Sequence, residues 1–170
     1  QETYPYAIAR AVRKLNHSAS VADKHEAAMQ CVESLITSLG IVSLAFTAHW
    51  GKQGLPDVVK WFEAVRRGGV SLGHWVGVIR AAGAFARESG DEAGGLADAT
   101  APKRKGKGLL SDLDELVARR NKIRHGAGPR TRAEVGKSLA ELEQLMFRSL
   151  SASAFLAKMQ WIHMYQLRWL

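Results

Sequence analysis

The chain has 170 residues, 46% of them hydrophobic, one cysteine, and a formal net charge of +8. That length suits one domain with a single sizeable core, and the apolar content excludes a disordered chain. The lone Cys31 excludes an internal disulfide framework and fits a reducing, cytoplasmic setting, and no basic-then-apolar signal segment opens the chain. The initial Gln and a final stretch still patterned as helix lead us to expect a single domain over 1–170 that is a fragment of a longer protein.

Taken in order, the patterning predicts helices and no strand. Pro5 is placed for a first helical turn, and Ile8, Val12 and Leu15 follow helical spacing, so a short helix ends near Asn16–Ser18. Tyr4 and Tyr6 read as aromatic anchors of that helix, with stacking on bases as the alternative. Ser20 with Asp23 signals a long helix over 20–50. Its main apolar face is Ala28, Cys31, Val32, Leu35, Leu39, Val42 and Phe46, with Ser34, Thr37 and Ser38 turned away. From Ile41 on, the opposite side is apolar too. No Lys, Arg, Asp or Glu occurs from Ser34 to Gly51, close to the lower limit for a membrane span. The interrupting hydroxyls and His49 argue instead for the buried centre of a bundle and against a membrane partner. His25–Glu26 lacks the second His of a zinc-binding H-E-x-x-H, so no metal role is assigned there.

Gly51–Pro56 reads as a loop and Asp57–Arg67 as a short helix that buries Val58, Trp61, Phe62 and Val65. Gly68–Gly69 breaks it. Ser71 starts the next helix, with Leu72, Trp75, Val76, Ile79 and Phe85 inward and His74 satisfied by hydrogen bonds. Gly73 and Gly77 predict a close packing seam, against the long helix. Ser89–Gly108 has no apolar period and reads as a mobile surface loop whose second half is basic. Thr131 with Glu134 is a capping box for a last helix with Val135, Leu139, Leu142, Met146 and Ser149 on one face. The pattern persists through Leu156, Met159 and Ile162, which would make about 40 residues and roughly 60 Å of helix, so a kink near Ser149–Ser153 is expected. The aromatic end, WIHMYQLRWL, would be costly to expose and is expected to pack on the domain, a partner or further polypeptide. The fold class is all-α, a bundle of about five to six helices with a long second and a long C-terminal helix.

One stretch does not fit a plain bundle. Leu109–Gly128 reads as a helix started by Ser111 with Asp114 and stopped by Gly126. Leu109, Leu110, Leu113, Leu116 and Val117 form its apolar stripe, and the next positions on that line are Arg120 and Arg124. An arginine there pairs with a buried carboxylate, snorkels to the rim, or faces a cleft that binds an anion. Asn121 and His125, four apart, share a face. Arginine holds phosphate with a two-pronged hydrogen bond and histidine exchanges protons near neutral pH, which is a kit for metal-free phosphodiester chemistry. Ten of the 24 Lys and Arg lie between 101 and 132 against three acids, a basic field that suits a polyanion such as RNA. No Cys/His metal spacing, Gly-rich phosphate loop or serine nucleophile elbow occurs, and no cofactor is expected.

The segment RNKIRHG, Arg120 followed after four residues by His125 with polar Asn121 between, resembles the R-x4-6-H motif of the HEPN superfamily of all-α domains. YPYAIARAVRKL and SLGHWVGVIRAA also look like HEPN-type domains of bacterial antiviral defence and toxin–antitoxin proteins. The resemblance implies a ribonuclease active as a homodimer with both motifs in one cleft. Arg120, Asn121 and His125 are then the catalytic candidates. Arg124, Lys122, Lys103, Arg104, Lys105 and Lys107 are the substrate-binding candidates. RNA, a second copy, other domains of the polypeptide or an antitoxin are the expected partners. The alternative is a catalytically silent HEPN-like dimerisation or docking domain, in which Arg120 pairs internally with an acid such as Glu134 or Glu141. A third reading is a basic nucleic-acid-binding helical module without chemistry.

Overall fold

The structure, a computed structural model, describes residues 4–90, 93–103 and 108–159. These residues form α1 (Tyr6–His17), α2 (Val21–His49), α3 (Pro56–Arg66), α4 (Leu72–Ser89), α5 (Leu96–Ala99), α6 (Leu109–Arg124) and α7 (Arg132–Ala152), with no strand among them. The all-α class and the long second helix are as the sequence indicates.

α2 is the centre. Ser20 caps it, accepting from the Asp23 N–H at 3.0 Å and donating to the Asp23 carboxylate at 2.7 Å. α1, α4 and α7 pack around it, which buries Cys31, Val32, Leu35, Ile36 and Leu39 completely. By length and composition α2 meets the requirement for a membrane span, and 56% of its apolar window is buried inside the bundle. The inward arc differs from the expected one. Ser38 is buried and Ile41 is 50% exposed, because packing on three sides decides which line is covered. Buried hydroxyls such as Thr47 cost little where they bond back to their own helix, here to the Leu44 carbonyl at 2.8 Å. Burial pushes the Cys31 thiol up to about 11, so it is expected to resist thiol reagents at mildly alkaline pH and to react only on unfolding, read as labelling with and without denaturant.

Two expectations about packing are corrected. The close approach to α2 is made at Gly40, where an added Cβ would run into the Trp75 ring of α4. Gly77 instead faces Asp57 of α3, and Gly73 meets only Ser71. On α3, Val58 and Ala64 are buried and Trp61 packs on Trp75 at 4.9 Å, but Phe62 and Val65 are exposed at 42% and 46%. α3 has one helical neighbour of any extent, α4, so only a narrow line of it is covered. On α4, Leu72, Val76 and Ile79 face inward as expected. His74 is satisfied as N3 of a capping box, its Nδ1 accepting from the Ser71 N–H at 3.0 Å.

Within the stretch after α4, residues 93–100 are not the surface loop the composition suggests. A 3-10 turn over Ala93–Gly95 leads into α5, and Leu96 and Thr100 are buried. Arg87 donates to the Thr100 hydroxyl at 2.7 Å, and Thr100 fits against Gly83 with no room for a Cβ. One helical turn is too short to show a period, so small residues that pack look like linker. α7 begins with the expected capping box, the Glu134 N–H bonding the Thr131 hydroxyl at 3.2 Å. It ends at Ala152, inside the window expected for a kink, and a 3-10 turn over Ala154–Lys158 follows. Ile162 and the aromatic end lie outside the described residues.

Candidate active site at the end of α6

α6 starts three residues earlier than a Ser111 cap implies. Gly108 is the cap, and Ser111 sits within the first turn, accepting from the Gly108 N–H at 3.0 Å. Asp114 is free of the expected capping role and binds Arg80 of α4 through both carboxylate oxygens at 3.0 and 2.7 Å. Leu109, Leu113 and Leu116 are buried as the stripe requires. Asp112, also buried, is clamped by Arg148 of α7 at 3.1 and 2.6 Å. These two ion pairs, of which Arg148–Asp112 is a two-nitrogen fork, are unmarked in the sequence and tie α6 to α4 and α7.

The arginines that continue the stripe meet a carboxylate. Arg120 donates through Nε to Glu33 of α2 at 2.9 Å, and Arg124 lies 3.7 Å from the same oxygen. The pair is partly exposed, 25% for Arg120 and 33% for Glu33. Of the three explanations for an arginine on an apolar line, pairing with a carboxylate applies to Arg120, with the difference that Glu33 is only partly buried. The partner is neither Glu134 nor Glu141. Glu141 is taken by Arg119 at 2.8 Å, whose hydrogen bond holds its carboxyl below the usual range. Glu134 accepts the Arg130 and Thr131 N–H groups at 2.8 and 3.0 Å, which lower its carboxyl likewise. The hydrogen bond of Arg120 uses Nε alone, so its two terminal nitrogens make none to the described residues. Glu33→Gln is expected to cost no more than about 1 kcal/mol, as for other exposed pairs, measurable by urea denaturation.

His125 closes α6. The chain leaves through a Schellman turn in which the Gly126 N–H bonds the Ile123 carbonyl at 3.1 Å and the Ala127 N–H bonds that of Lys122 at 3.0 Å. Gly126 sits at φ 78°, where a side chain would be strained. Asn121, Lys122, Arg124 and His125 are all exposed at this end, with Arg130 just beyond. No hydrogen bond joins the Asn121 and His125 side chains. Lys103 is exposed at the opposite end of α6, beside Arg148, and a helix of that length separates it from His125 by about 24 Å within one chain. Arg104, Lys105 and Lys107 lie outside the described residues.

Two cavities flank the helix end. One of about 740 Å³ between α6 and α7 is lined by Arg119, Lys122, Arg130 and Ser138. The other, about 310 Å³, lies between α2 and α6 and is lined by His25, Glu33, Arg120 and Arg124. His25 and Glu33 went unassigned in the sequence. The one signal for Glu33 is its place as the last charge before the uncharged run 34–51, next to core residue Val32. His25 is buried against Ser138, Nε2 to Oγ at 3.0 Å, and burial lowers its pKa from 6.5. The unfolded chain therefore takes up this proton before the folded one. His25 contributes a stability loss that begins near pH 6.5 and grows as pH falls through the lower, folded value. Denaturation above and below that pH is expected to show a flatter acid limb for His25→Gln.

Among the described residues no group of three His, Cys, Asp or Glu gathers to hold a metal ion. No family model matches the chain, and neither a curated protein nor a solved structure matches it.

Proposed function

We propose that the chain is a HEPN-type, metal-independent endoribonuclease domain of a bacterial defence or toxin system, acting as a cytoplasmic homodimer on RNA. The observation that carries this reading is the end of α6, where Asn121, Lys122, Arg124 and His125 stand exposed together on a capped turn while Arg120 is oriented by Glu33. In the reaction a ribose 2′-oxygen attacks the adjacent phosphorus and gives its proton to a base. The bond from phosphorus to the 5′-oxygen breaks, and that oxygen takes a proton from an acid. The products are a 2′,3′-cyclic phosphate and a 5′-hydroxyl. His125 serves as base or acid, and the terminal nitrogens of Arg120 bind the phosphate as its charge grows. Asn121 orients the imidazole or the ribose hydroxyl, and Lys122 and Arg124 add cationic contacts. Of the two histidines near this end, His25 is buried against Ser138 and His125 alone is exposed, so a second copy across a two-fold axis supplies the other proton-transfer role.

A second reading is a catalytically silent HEPN-like dimerisation or docking domain of a larger multidomain protein. It is favoured by the internal Arg120–Glu33 pair, which the silent reading requires of some acid. Incubation of a mixed RNA pool in EDTA with wild type and His125→Ala, with oligomeric state read from the same samples, separates the two. Cleavage that survives the chelator and disappears in the variant supports the ribonuclease. A folded dimer that binds RNA and leaves it intact supports the silent domain.

A further inference from the structure

The groove between α1 and α2 is unused by the site at the end of α6. It holds about 710 Å³ and shares Gln30 and Glu33 with the Arg120–Arg124 cavity, so the two lie side by side along α2. One side is the exposed face of α1, where Tyr6, Arg10 and Lys14 recur every four residues, about 6 Å per step along the axis. The other is Gln30, Ser34 and Thr37 of α2, an amide and two hydroxyls. Tyr6 is 60% exposed. Lys14 donates to the Gln30 side-chain carbonyl at 3.0 Å, and Arg10 has no hydrogen bond or ion pair among the described residues. Glu33 is the one carboxylate on the lining, and Arg120 and Arg124 already balance it. The groove thus offers Arg10 and Lys14, the latter shared with Glu26 at 3.9 Å, together with hydroxyls and an exposed aromatic ring, over a lining that also includes Ala7, Ala11 and Ile41.

Resting on the ribonuclease reading, we infer that this groove is the track for the single-stranded RNA flanking the scissile step. Arg10 and Lys14 contact successive phosphates, Tyr6 stacks on a base, and Gln30, Ser34 and Thr37 bond base edges or 2′-hydroxyls. The four-residue repeat on α1 gives one cation or ring per nucleotide step of an extended strand. A duplex gains little here, because its bases are already stacked and their edges paired. Every base has a face to stack, so the groove selects unpaired strands and not a sequence.

The test uses the full chain carrying His125→Ala, which leaves bound RNA uncut, with a labelled short single-stranded RNA and its duplex titrated over a range of salt. Arg10→Glu with Lys14→Glu is expected to lower single-strand affinity about tenfold or more and to reduce the salt slope by about two contacts. Tyr6→Ala is expected to lower it about tenfold, with little effect on the salt slope. Arg66→Glu with Arg67→Glu on α3, the same change of charge, is expected to leave affinity near the parent's. Groove variants that bind like the parent overturn the inference and leave the ribonuclease reading intact. Unchanged affinity with an altered oligomeric state makes the groove a subunit interface and overturns it too. A parent that binds no RNA, with a wild type that cuts none, removes both.

Discussion

His125→Ala is expected to lower RNA cleavage in EDTA by about 10²- to 10⁴-fold, the usual cost of losing a proton-transfer group, while the protein stays folded and dimeric. The side chain is exposed at a helix cap and makes no hydrogen bond to the described residues, so on the ribonuclease reading its loss falls on the chemistry. Arg120→Ala is expected to be comparably inactive and to cost a little stability as well, because it leaves Glu33 with Arg124 alone at 3.7 Å. Arg120→Lys is no remedy, since a point charge cannot hold Glu33 through Nε and leave a second edge for phosphate. Initial rates on a labelled RNA, paired with unfolding curves of the same preparations, check both parts. If His125→Ala cuts RNA as fast as wild type, histidine-dependent cleavage at this end of α6 is wrong.

Gly40→Val is expected to cost about 3 kcal/mol, as overpacking of a tight contact does, and to lower the melting temperature by roughly 10 °C in a domain of this size. The cause is the Trp75 ring, which lies against the α2 backbone where a Cβ would stand and is itself held by Trp61. Combining Gly40→Val with Trp75→Leu is expected to lose less than the sum of the single losses, because the smaller side chain removes the clash. Gly136→Ala, in α7, has the opposite sign. Nothing lies within 4 Å of its added Cβ, so helix propensity dominates and it is expected to gain up to about 1 kcal/mol. Differential scanning calorimetry of wild type, the three single variants and the double variant measures the contrast. Equal effects at the two glycines would show that the Trp75 contact is not formed.

Much of the bundle was legible because its signals are local. Ser20 with Asp23 and Thr131 with Glu134 each start a helix within four residues, and Gly126 stops one. The stripes of α2, α6 and α7 have a period that needs no knowledge of their neighbours. Where an element is one turn long, as in α5, or where one neighbour covers it, as in α3, the same signals misled. The first has no room for a period, and the second buries less of its apolar face than the pattern promises.

The candidate site divides the same way. That Arg120 stands on an apolar line, and that Asn121 and His125 share the last turns before a glycine stop, follows from the sequence alone. That Arg120 is met by Glu33, 87 residues earlier, follows only from α2 lying beside α6. The same packing spends Arg119 on Glu115 and Glu141, and places Lys103 at the far end of the helix from His125. Among the described cations of the basic run 101–132, Lys103 and Arg119 therefore do not join Arg124 and His125 in one free basic patch. Helix starts, stops and apolar stripes are written within a few residues, and the sequence determined them. Which charges remain for a ligand depends on which helices become neighbours, and only the tertiary structure decided that.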